Sequence, residues 1–153
     1  MINVGETCQK FSIPTDDGIF ELKDKSNLNT IIFFFPRANT SGCTKQAKEF
    51  SELINDFHNL NTQIIGISKD SSETQKKFKI KHNLKCFLGA DDKNQICEKF
   101  GVWLEKSMYG KKYMGIERST FLIDEKLILI KLWKKVKVKD HVKEVYEFIS
   151  NSI

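Results

Sequence analysis

The stretch Ile31-Ile-Phe-Phe-Phe-Pro36-Arg-Ala-Asn-Thr40-Ser-Gly-Cys43-Thr-Lys-Gln46 decides how the chain folds. Its apolar beginning, residues 31–35, is typical of a buried parallel strand. Pro36 ends that strand because proline has no amide hydrogen to donate to a neighbouring strand. Further on, apolar residues recur at spacings of three and four from Ala47 to Phe57, which predicts a helix with one buried face. The sequence therefore predicts a strand that leads almost directly into a helix.

Cys43 falls in the first turn of this predicted helix, and Thr40 is expected to cap the helix with its hydroxyl. Free amide groups and the positive end of the helix dipole favour a thiolate over a thiol at that place. A free cysteine is often only a small buried apolar side chain. Here the helix start and the neighbouring Thr40 and Gly42 favour a reactive sulfur instead.

Length and composition limit the classes of protein to be considered. A chain of 153 residues with 40% hydrophobic and 29% charged residues predicts one soluble globular domain over residues 1–153. The net charge of +5 comes from lysines spread over many segments, and we expect no nucleic-acid partner. The first residues do not resemble a signal peptide, and no apolar run approaches the ~20 residues of a membrane span, so we expect a cytoplasmic protein without a membrane partner.

The four cysteines, at positions 8, 43, 86 and 97, lie far apart in the sequence. They form no Cys-x-x-Cys pair and lack the spacings of a zinc site, so we expect neither a metal nor another cofactor. A disulfide framework would be unusual in the reducing cytoplasm.

The remaining segments predict alternating strands and helices. The predicted elements are an N-terminal hairpin (11–13 and 19–20), a strand (63–67), a helix (72–82), a short extended piece (84–88), a short helix (94–100), a Gly- and Lys-rich loop (103–114), two strands (118–123 and 127–133) and a last helix that Asp140 caps. The early alternation favours parallel strands, and the short late connection favours an antiparallel hairpin. We therefore predict an α/β fold with a central mixed sheet flanked by helices and an N-terminal hairpin extension.

The spacing Pro36-x-x-x-Thr40-x-x-Cys43 resembles the active site of the peroxiredoxins. The flanking residues resemble the bacterioferritin-comigratory-protein (BCP, PrxQ) branch, whose usual Thr-Pro-Gly-Cys-Thr run is here Thr40-Ser-Gly-Cys43-Thr44. The resemblance continues in order through residues 5–11, 65–70, 100–103, 109–111, 115–118 and 121–124. It implies a thioredoxin-like fold of the peroxiredoxin type and a thiol-dependent peroxidase that reduces hydrogen peroxide and organic hydroperoxides. It also implies thioredoxin or another thiol as reductant, and we expect a monomer or weak dimer.

The resemblance also implies roles for individual residues. Cys43 supplies the attacking sulfur, the Thr40 hydroxyl accepts the peroxide proton or orients the two oxygens, and Arg118 stabilises the thiolate and the transition state. An arginine suits that role because it stays charged and offers several fixed donors. We expect Pro36 to shield the substrate pocket, and the amide groups around Gly42 and Cys43 to donate to the substrate oxygen.

The chain differs from the family it resembles in the residues that would regenerate the active thiol. Attack leaves Cys43 as a sulfenic acid, with which a second thiol must condense. Many PrxQ-type proteins carry that resolving cysteine five residues later, where this chain has Lys48, and others carry it in the helix 72–82, which here contains none. Cys97 and Cys86 remain as candidates, with Cys97 slightly favoured because Cys86 shares a face with Leu84 and Leu88. We expect no dedicated resolving cysteine.

Two other functions stay open at this stage. A thiol–disulfide oxidoreductase of thioredoxin type would use a Cys-x-x-Cys pair, which the sequence lacks. A non-enzymatic redox sensor on the same fold is also compatible with the motif, because a fold does not determine a function.

Overall fold

The predicted strand and helix around the opening stretch are both present in the computed structural model, which describes residues 2–24 and 26–152. In chain order the elements are β1 (Phe11–Pro14), β2 (Ile19–Leu22), β3 (Asn29–Phe34), α1 (Ser41–Glu52), α2 (Ile54–Asn59), β4 (Thr62–Ser68), α3 (Ser72–His82), β5 (Phe87–Ala90), α4 (Ile96–Lys99), β6 (Trp103–Met108), β7 (Lys111–Ile116), β8 (Ser119–Ile123), β9 (Leu129–Trp133) and α5 (His141–Ser152). None of the described helices is long and apolar enough to cross a membrane.

A five-stranded sheet with the order β5-β4-β3-β8-β9 forms the centre of the molecule. The strands β3, β4 and β5 run parallel to each other, whereas β8 pairs antiparallel with both β3 and β9. The strands β1 and β2 form a separate antiparallel hairpin before the sheet begins. The predicted mixed sheet and N-terminal hairpin are therefore confirmed.

The strand β3 and the residue after it are buried on both sides. Residues 31–35 are each at most 1% exposed, because helices cover one face of the sheet and the hairpin region covers the other. Ile31, Phe33 and Phe35 pack into the cluster beneath α1, α3 and α5, while Ile32 and Phe34 pack into the opposite cluster. This alternation is the period of two that an extended chain imposes. Each fully buried phenylalanine contributes about 1.5–3 kcal/mol of apolar burial.

The loop between β3 and α1 is held by a side chain from the neighbouring strand end. Asp70 accepts the amide hydrogen of Ala38 at 2.8 Å and the hydroxyl hydrogen of Ser68 at 2.6 Å. Within the same loop Asn39 has a φ of +66°, a left-handed conformation that asparagine adopts more readily than most residues. The two features turn the chain sharply from the sheet into the first turn of α1.

The single helix predicted to continue through Phe57 is divided at Leu53 into α1 and α2, and two further segments differ from the sequence-based prediction. The predicted loop 103–114 is largely an antiparallel hairpin of β6 and β7, whose turn residues Tyr109 and Gly110 both have positive φ, as tight hairpin turns require. Its strands show no apolar alternation because most of their residues are exposed on both faces. The predicted extended piece 84–88 also lies too early, since β5 spans Phe87–Ala90.

Candidate active site

Cys43 and Arg118 meet at the carboxyl end of β3. Cys43 is the third residue of α1 and is 1% exposed. In the antiparallel register Phe34 lies opposite Ser119, so Arg118 stands beside the point where the chain leaves β3. The Nη2 group of Arg118 donates a hydrogen bond to Cys43 Sγ at 3.2 Å. A guanidinium at this distance stabilises a thiolate, as does the amino end of α1.

Gln46 completes this cluster and was not singled out by the sequence analysis. Its Oε1 accepts a hydrogen bond from Arg118 Nη1 at 2.6 Å, so Cys43 and Gln46 hold the two ends of the guanidinium. Gln46 is fully buried, and within the described residues its Nε2 has no hydrogen-bond partner. The sequence does contain a signal for Gln46. It is a polar residue three positions after Cys43, on the buried face of the helix that also carries Ala47 and Phe50.

Gly42 lies next to the arginine. A Cβ atom at this position would lie 3.4 Å from Arg118 Nη2 and 3.8 Å from Val138 Cγ2, which are ordinary van der Waals contacts. The role of Gly42 at the substrate pocket stays a prediction.

Thr40 does not cap α1 with its side chain, so that part of the prediction was wrong. Its hydroxyl donates to the carbonyl oxygen of Arg37 at 3.0 Å, and only its backbone carbonyl enters the helix, by accepting the amide hydrogen of Thr44 at 2.9 Å. Among the described residues its hydroxyl makes no hydrogen bond to Cys43. The first turn of α1 also lacks an acidic residue, so no side chain of that kind stabilises the helix start.

Pro36 is exposed and borders a cavity of about 420 Å³. The opposite wall of this cavity comes from the β6–β7 hairpin, including Trp103, Tyr113 and Ile116. Pro36 thus lies at the edge of a surface depression that charged and apolar side chains line together.

A neutral histidine lies behind the arginine. His141 is 3% exposed, its Nε2 lies 2.8 Å from Thr120 Oγ1, and the rings of Phe50 and Trp133 pack against it edge to face. Burial lowers the pKa of His141 to about 4; the charge of Glu144 opposes that shift and the charge of Arg118 adds to it. The guanidinium therefore has an uncharged neighbour on this side at neutral pH.

Cys97 lies on the other side of the sheet from Cys43. It belongs to the cluster with Phe34 and Phe121, and it is fully buried. The carboxylate of Asp91, also fully buried, accepts the amide hydrogens of Ile96 and Cys97. Burial first, and the negative charge of Asp91 second, raise the pKa of the Cys97 thiol.

Cys86 shares the cluster of Cys43 but lies near the far end of α1. Its Sγ is 3.9 Å from the hydroxyl of Ser51. Ser51 lies eight residues after Cys43 in α1, and eight residues span about 12 Å along a helix. Burial raises the pKa of Cys86 to about 11, and likewise that of Cys8. All four cysteines are free. The structure brings together Cys43, Arg118 and Gly42, and it brings neither Cys86 nor Cys97 to them.

No metal site accompanies the thiols in residues 2–24 and 26–152, where no group of three or more His, Cys, Asp or Glu side chains could hold a metal ion. The chemistry that the cluster supports is that of a single sulfur beside a fixed cation.

Comparison with known proteins agrees with this geometry. Residues 4–131 match the model of the AhpC/TSA family, and the chain belongs to that family. More narrowly, it is a peroxiredoxin of the BCP (PrxQ) type. Peroxiredoxin Bcp of Bacillus subtilis is 43% identical over 151 residues, which cover 98% of this chain and 96% of that protein.

Two solved structures support the same assignment. A cysteine mutant of Xylella fastidiosa PrxQ superimposes with a TM-score of 0.93 at 30% identity, over 99% of this chain and 98% of that one. The bacterioferritin comigratory protein of Xanthomonas campestris, studied for alkyl peroxide reduction, gives a TM-score of 0.87 at 31% identity, over 93% and 91% of the two chains. The predicted thioredoxin-like fold and enzyme class are thereby confirmed.

Proposed function

We propose that Cys43 is the thiol with which this peroxidase attacks hydrogen peroxide and organic hydroperoxides. The observation that carries the assignment is the 3.2 Å hydrogen bond from Arg118 to Cys43 Sγ at the start of α1. The alkyl peroxide reduction studied in the similar X. campestris protein supports organic hydroperoxides as substrates.

The reaction follows from the groups around the sulfur. The Cys43 thiolate attacks one peroxide oxygen, the O–O bond breaks, and the other oxygen leaves as water or an alcohol after it takes up a proton. Arg118 stabilises negative charge first on the sulfur and then on the leaving oxygen, and Gln46 keeps the guanidinium in place. The Thr40 hydroxyl, exposed before the first turn, orients the peroxide, while Pro36 and the amide groups around Gly42 border the substrate.

Recycling requires a thiol from outside the chain. Cys97 lies in the cluster on the other face of the sheet, and Cys86 lies near Ser51, so neither supports a disulfide with Cys43, for which the Cα atoms must approach within about 7 Å. We therefore assign no resolving cysteine. Thioredoxin or another thiol reduces the oxidised Cys43.

The assignment is tested by treating the protein with one equivalent of peroxide and measuring intact mass with a sulfenic-acid trap. Wild type, Cys86→Ser and Cys97→Ser should each carry one trapped sulfenic acid, and Cys43→Ser none. Catalytic peroxide consumption with added dithiol distinguishes the enzyme from a redox sensor, which is oxidised once. A Cys43–Cys86 or Cys43–Cys97 bond in wild type, with turnover lost in the matching mutant, would contradict recycling by an external thiol.

A further inference from the structure

Residues 36–40, between β3 and α1, carry Pro36 and Thr40 to the edge of the active site. We call this segment the β3–α1 loop. Its residues are exposed except for Ala38, which is buried. Under the proposed function the conformation of this loop sets where the Thr40 hydroxyl lies relative to the peroxide. The groups that hold the loop therefore bear on the rate of the reaction.

One hydrogen bond ties the β3–α1 loop to the end of β4. The amide of Ala38 donates to Asp70 Oδ2 at 2.8 Å, and Asp70 stands two residues after the last residue of β4. Within the described part of the chain, no other hydrogen bond joins residues 36–40 to any residue outside 36–44. Asp70 therefore fixes the buried residue of an otherwise exposed loop.

Asp70 is itself held by a buried network. The same Oδ2 accepts the hydroxyl hydrogen of Ser68 at 2.6 Å, and Ser68 Oγ accepts a hydrogen from Gln75 Nε2 at 2.8 Å. Gln75, in α3, also donates to the carbonyl oxygen of Gly89 in β5 at 2.9 Å. Ser68 and Gln75 are both fully buried. A continuous chain of hydrogen bonds thus runs from β5 through α3 and β4 to the loop that precedes Cys43.

This network is a poor way to stabilise the core. Gln75 Oε1 is buried and has no hydrogen-bond partner among the described residues. A buried polar network with an unsatisfied acceptor stabilises a protein less than well-packed apolar side chains do. Sequences break such rules mainly at functional sites, and this network ends at the active-site loop.

Cys43 is held independently of the network. It shares the buried face of α1 with Phe50, and its partner Arg118 lies directly before β8. Loss of the Asp70 bond should therefore displace Thr40 and leave the contact between Cys43 and Arg118 in place. The expected defect is specific, because attack on a peroxide needs Thr40, whereas simple alkylation of the sulfur does not.

We propose that Asp70 is a positioning residue for peroxide reduction, which acts through Ala38 on the place of the Thr40 hydroxyl. Ser68 and Gln75 support it by holding the carboxylate under the loop. The inference rests on the proposed function, since it assumes that Cys43 attacks a peroxide that Thr40 orients. A displacement of about 1 Å in a group that orients a substrate can lower a rate about 100-fold.

The test compares two reactions of Cys43, the reduction of hydrogen peroxide and alkylation by iodoacetamide. Asp70→Ala should slow peroxide reduction about tenfold to 100-fold and should not slow alkylation. Asp70→Asn keeps an oxygen that accepts the Ala38 hydrogen, although a weaker acceptor, and should restore part of the rate. Ser68→Ala keeps the carboxylate but removes its support, and it should slow peroxide reduction about threefold to tenfold.

A double variant distinguishes positioning from a general loss of structure. Because Asp70 acts through Thr40, the rate loss caused by Thr40→Val should be smaller in the Asp70→Ala background than in wild type. The same loss in both backgrounds would show that the two residues act independently, and it would overturn the inference.

The matched control is Asp124→Ala. Asp124 also accepts backbone amide hydrogens, those of Lys126 and Ile128 at 2.9 Å, but it lies in the β8–β9 turn, at the other end of β8 from Arg118. This variant should lose stability and keep the wild-type rate of peroxide reduction.

A wild-type rate in Asp70→Ala, or an equal loss of rate in Asp124→Ala, would overturn the role of Asp70 and leave the peroxidase function intact. If Asp70→Ala does not fold, the comparison is made with Asp70→Asn and Ser68→Ala, and wild-type rates in both would overturn that role. Absence of sulfenic acid at Cys43 in wild type would instead overturn the proposed function, and the inference with it.

Discussion

Cys43 and Cys97 occupy similar positions and have opposite electrostatic surroundings. Both lie in the first turn of a helix, and both are at most 1% exposed. Cys43 has the guanidinium of Arg118 at 3.2 Å, whereas Cys97 has the buried carboxylate of Asp91, which also accepts its amide hydrogen. Burial and a helix start are therefore common to both sulfurs, and the charged side chain beside each one differs.

Under the proposed function, this difference explains why Cys43 reacts and Cys97 does not. At Cys97 the Asp91 carboxylate takes up the free amide groups of α4, which could otherwise stabilise a thiolate. At Cys43 no acidic side chain lies in the first turn of α1, so the helix start and the arginine act on the sulfur together. Five experiments test this contrast.

The largest effect should come from exchanging the two sulfurs for hydroxyls, one at a time. Cys43→Ser should lower the rate of peroxide reduction by more than about 10³-fold because it removes the nucleophile. Cys97→Ser should keep a near wild-type rate. Peroxide consumption measured by stopped flow would show both results, and equal loss in the two variants would end the distinction between them.

The protein should lose stability at both ends of the pH range, through different buried groups. Because the pKa of His141 falls from 6.5 to about 4 on folding, the unfolded chain binds more protons between these values, and stability decreases as pH falls through that window, by up to about 3 kcal/mol. The raised pKa values of Cys97 and Cys86 act in the opposite direction, so stability decreases as pH rises above 9.0, their ordinary value.

Urea unfolding at a series of pH values from acid to alkaline measures both losses of stability. His141→Asn should reduce only the loss of stability at acid pH. Cys97→Ala should reduce only the loss at alkaline pH, of which Cys86 should keep a part. If the unfolding free energy of His141→Asn falls as steeply at acid pH as that of wild type, other groups cause the decrease.

Arg118 should matter for rate more than for folding. Arg118→Ala removes a charge-assisted hydrogen bond of about 1.5–3 kcal/mol, so the reaction with peroxide should slow about tenfold to 100-fold. Arg118→Lys keeps the charge but cannot hold Cys43 and Gln46 at once, and it should restore only part of the rate. A wild-type rate in Arg118→Ala would exclude the arginine from the mechanism.

Removing the charge beside Cys97 should affect stability and leave the chemistry unchanged. Asp91→Asn weakens the bonds to two amide groups and to Lys69, which should cost about 1–2 kcal/mol in the free energy of unfolding. Cys97 should still resist alkylation in the folded state, because burial is the larger cause of its raised pKa. Rapid alkylation of Cys97 in this variant would show that Asp91 alone protects it.

The smallest effect concerns Thr40. Thr40→Val should slow peroxide reduction about threefold to tenfold through loss of the hydroxyl, whereas Thr40→Ser should retain most of the rate. Circular dichroism of both variants controls for the lost bond to Arg37. Equal rates for valine and serine would leave Thr40 with a structural role in the loop alone.

The elements around Cys43 could be predicted because each signal is local. Residues 31–35 are apolar without interruption, Pro36 ends the strand, and the helix that follows has a clear buried stripe. Arg118 could be assigned only through the family resemblance, since its place depends on the pairing of Phe34 with Ser119, far apart in the sequence. Gln46 was missed for a related reason, because its partner is that same arginine.

The errors have equally specific causes. Thr40 was expected to cap α1, but its hydroxyl bonds to the nearby carbonyl of Arg37, a local alternative that threonine often takes. The hairpin of β6 and β7 was interpreted as a loop because exposure on both faces removes the alternation that identifies strands.

An enzyme that consumes an oxidant is exposed to damage by its own substrate. Burial and raised pKa values keep the Cys8, Cys86 and Cys97 sulfurs in the less oxidisable thiol form. Methionine oxidation needs no ionisation, and Met108 and Met114 stand 56% and 50% exposed on the β6–β7 hairpin. Oxidative damage from repeated turnover should therefore accumulate at this hairpin. It would change the surface beside Pro36 before it affected the packed core.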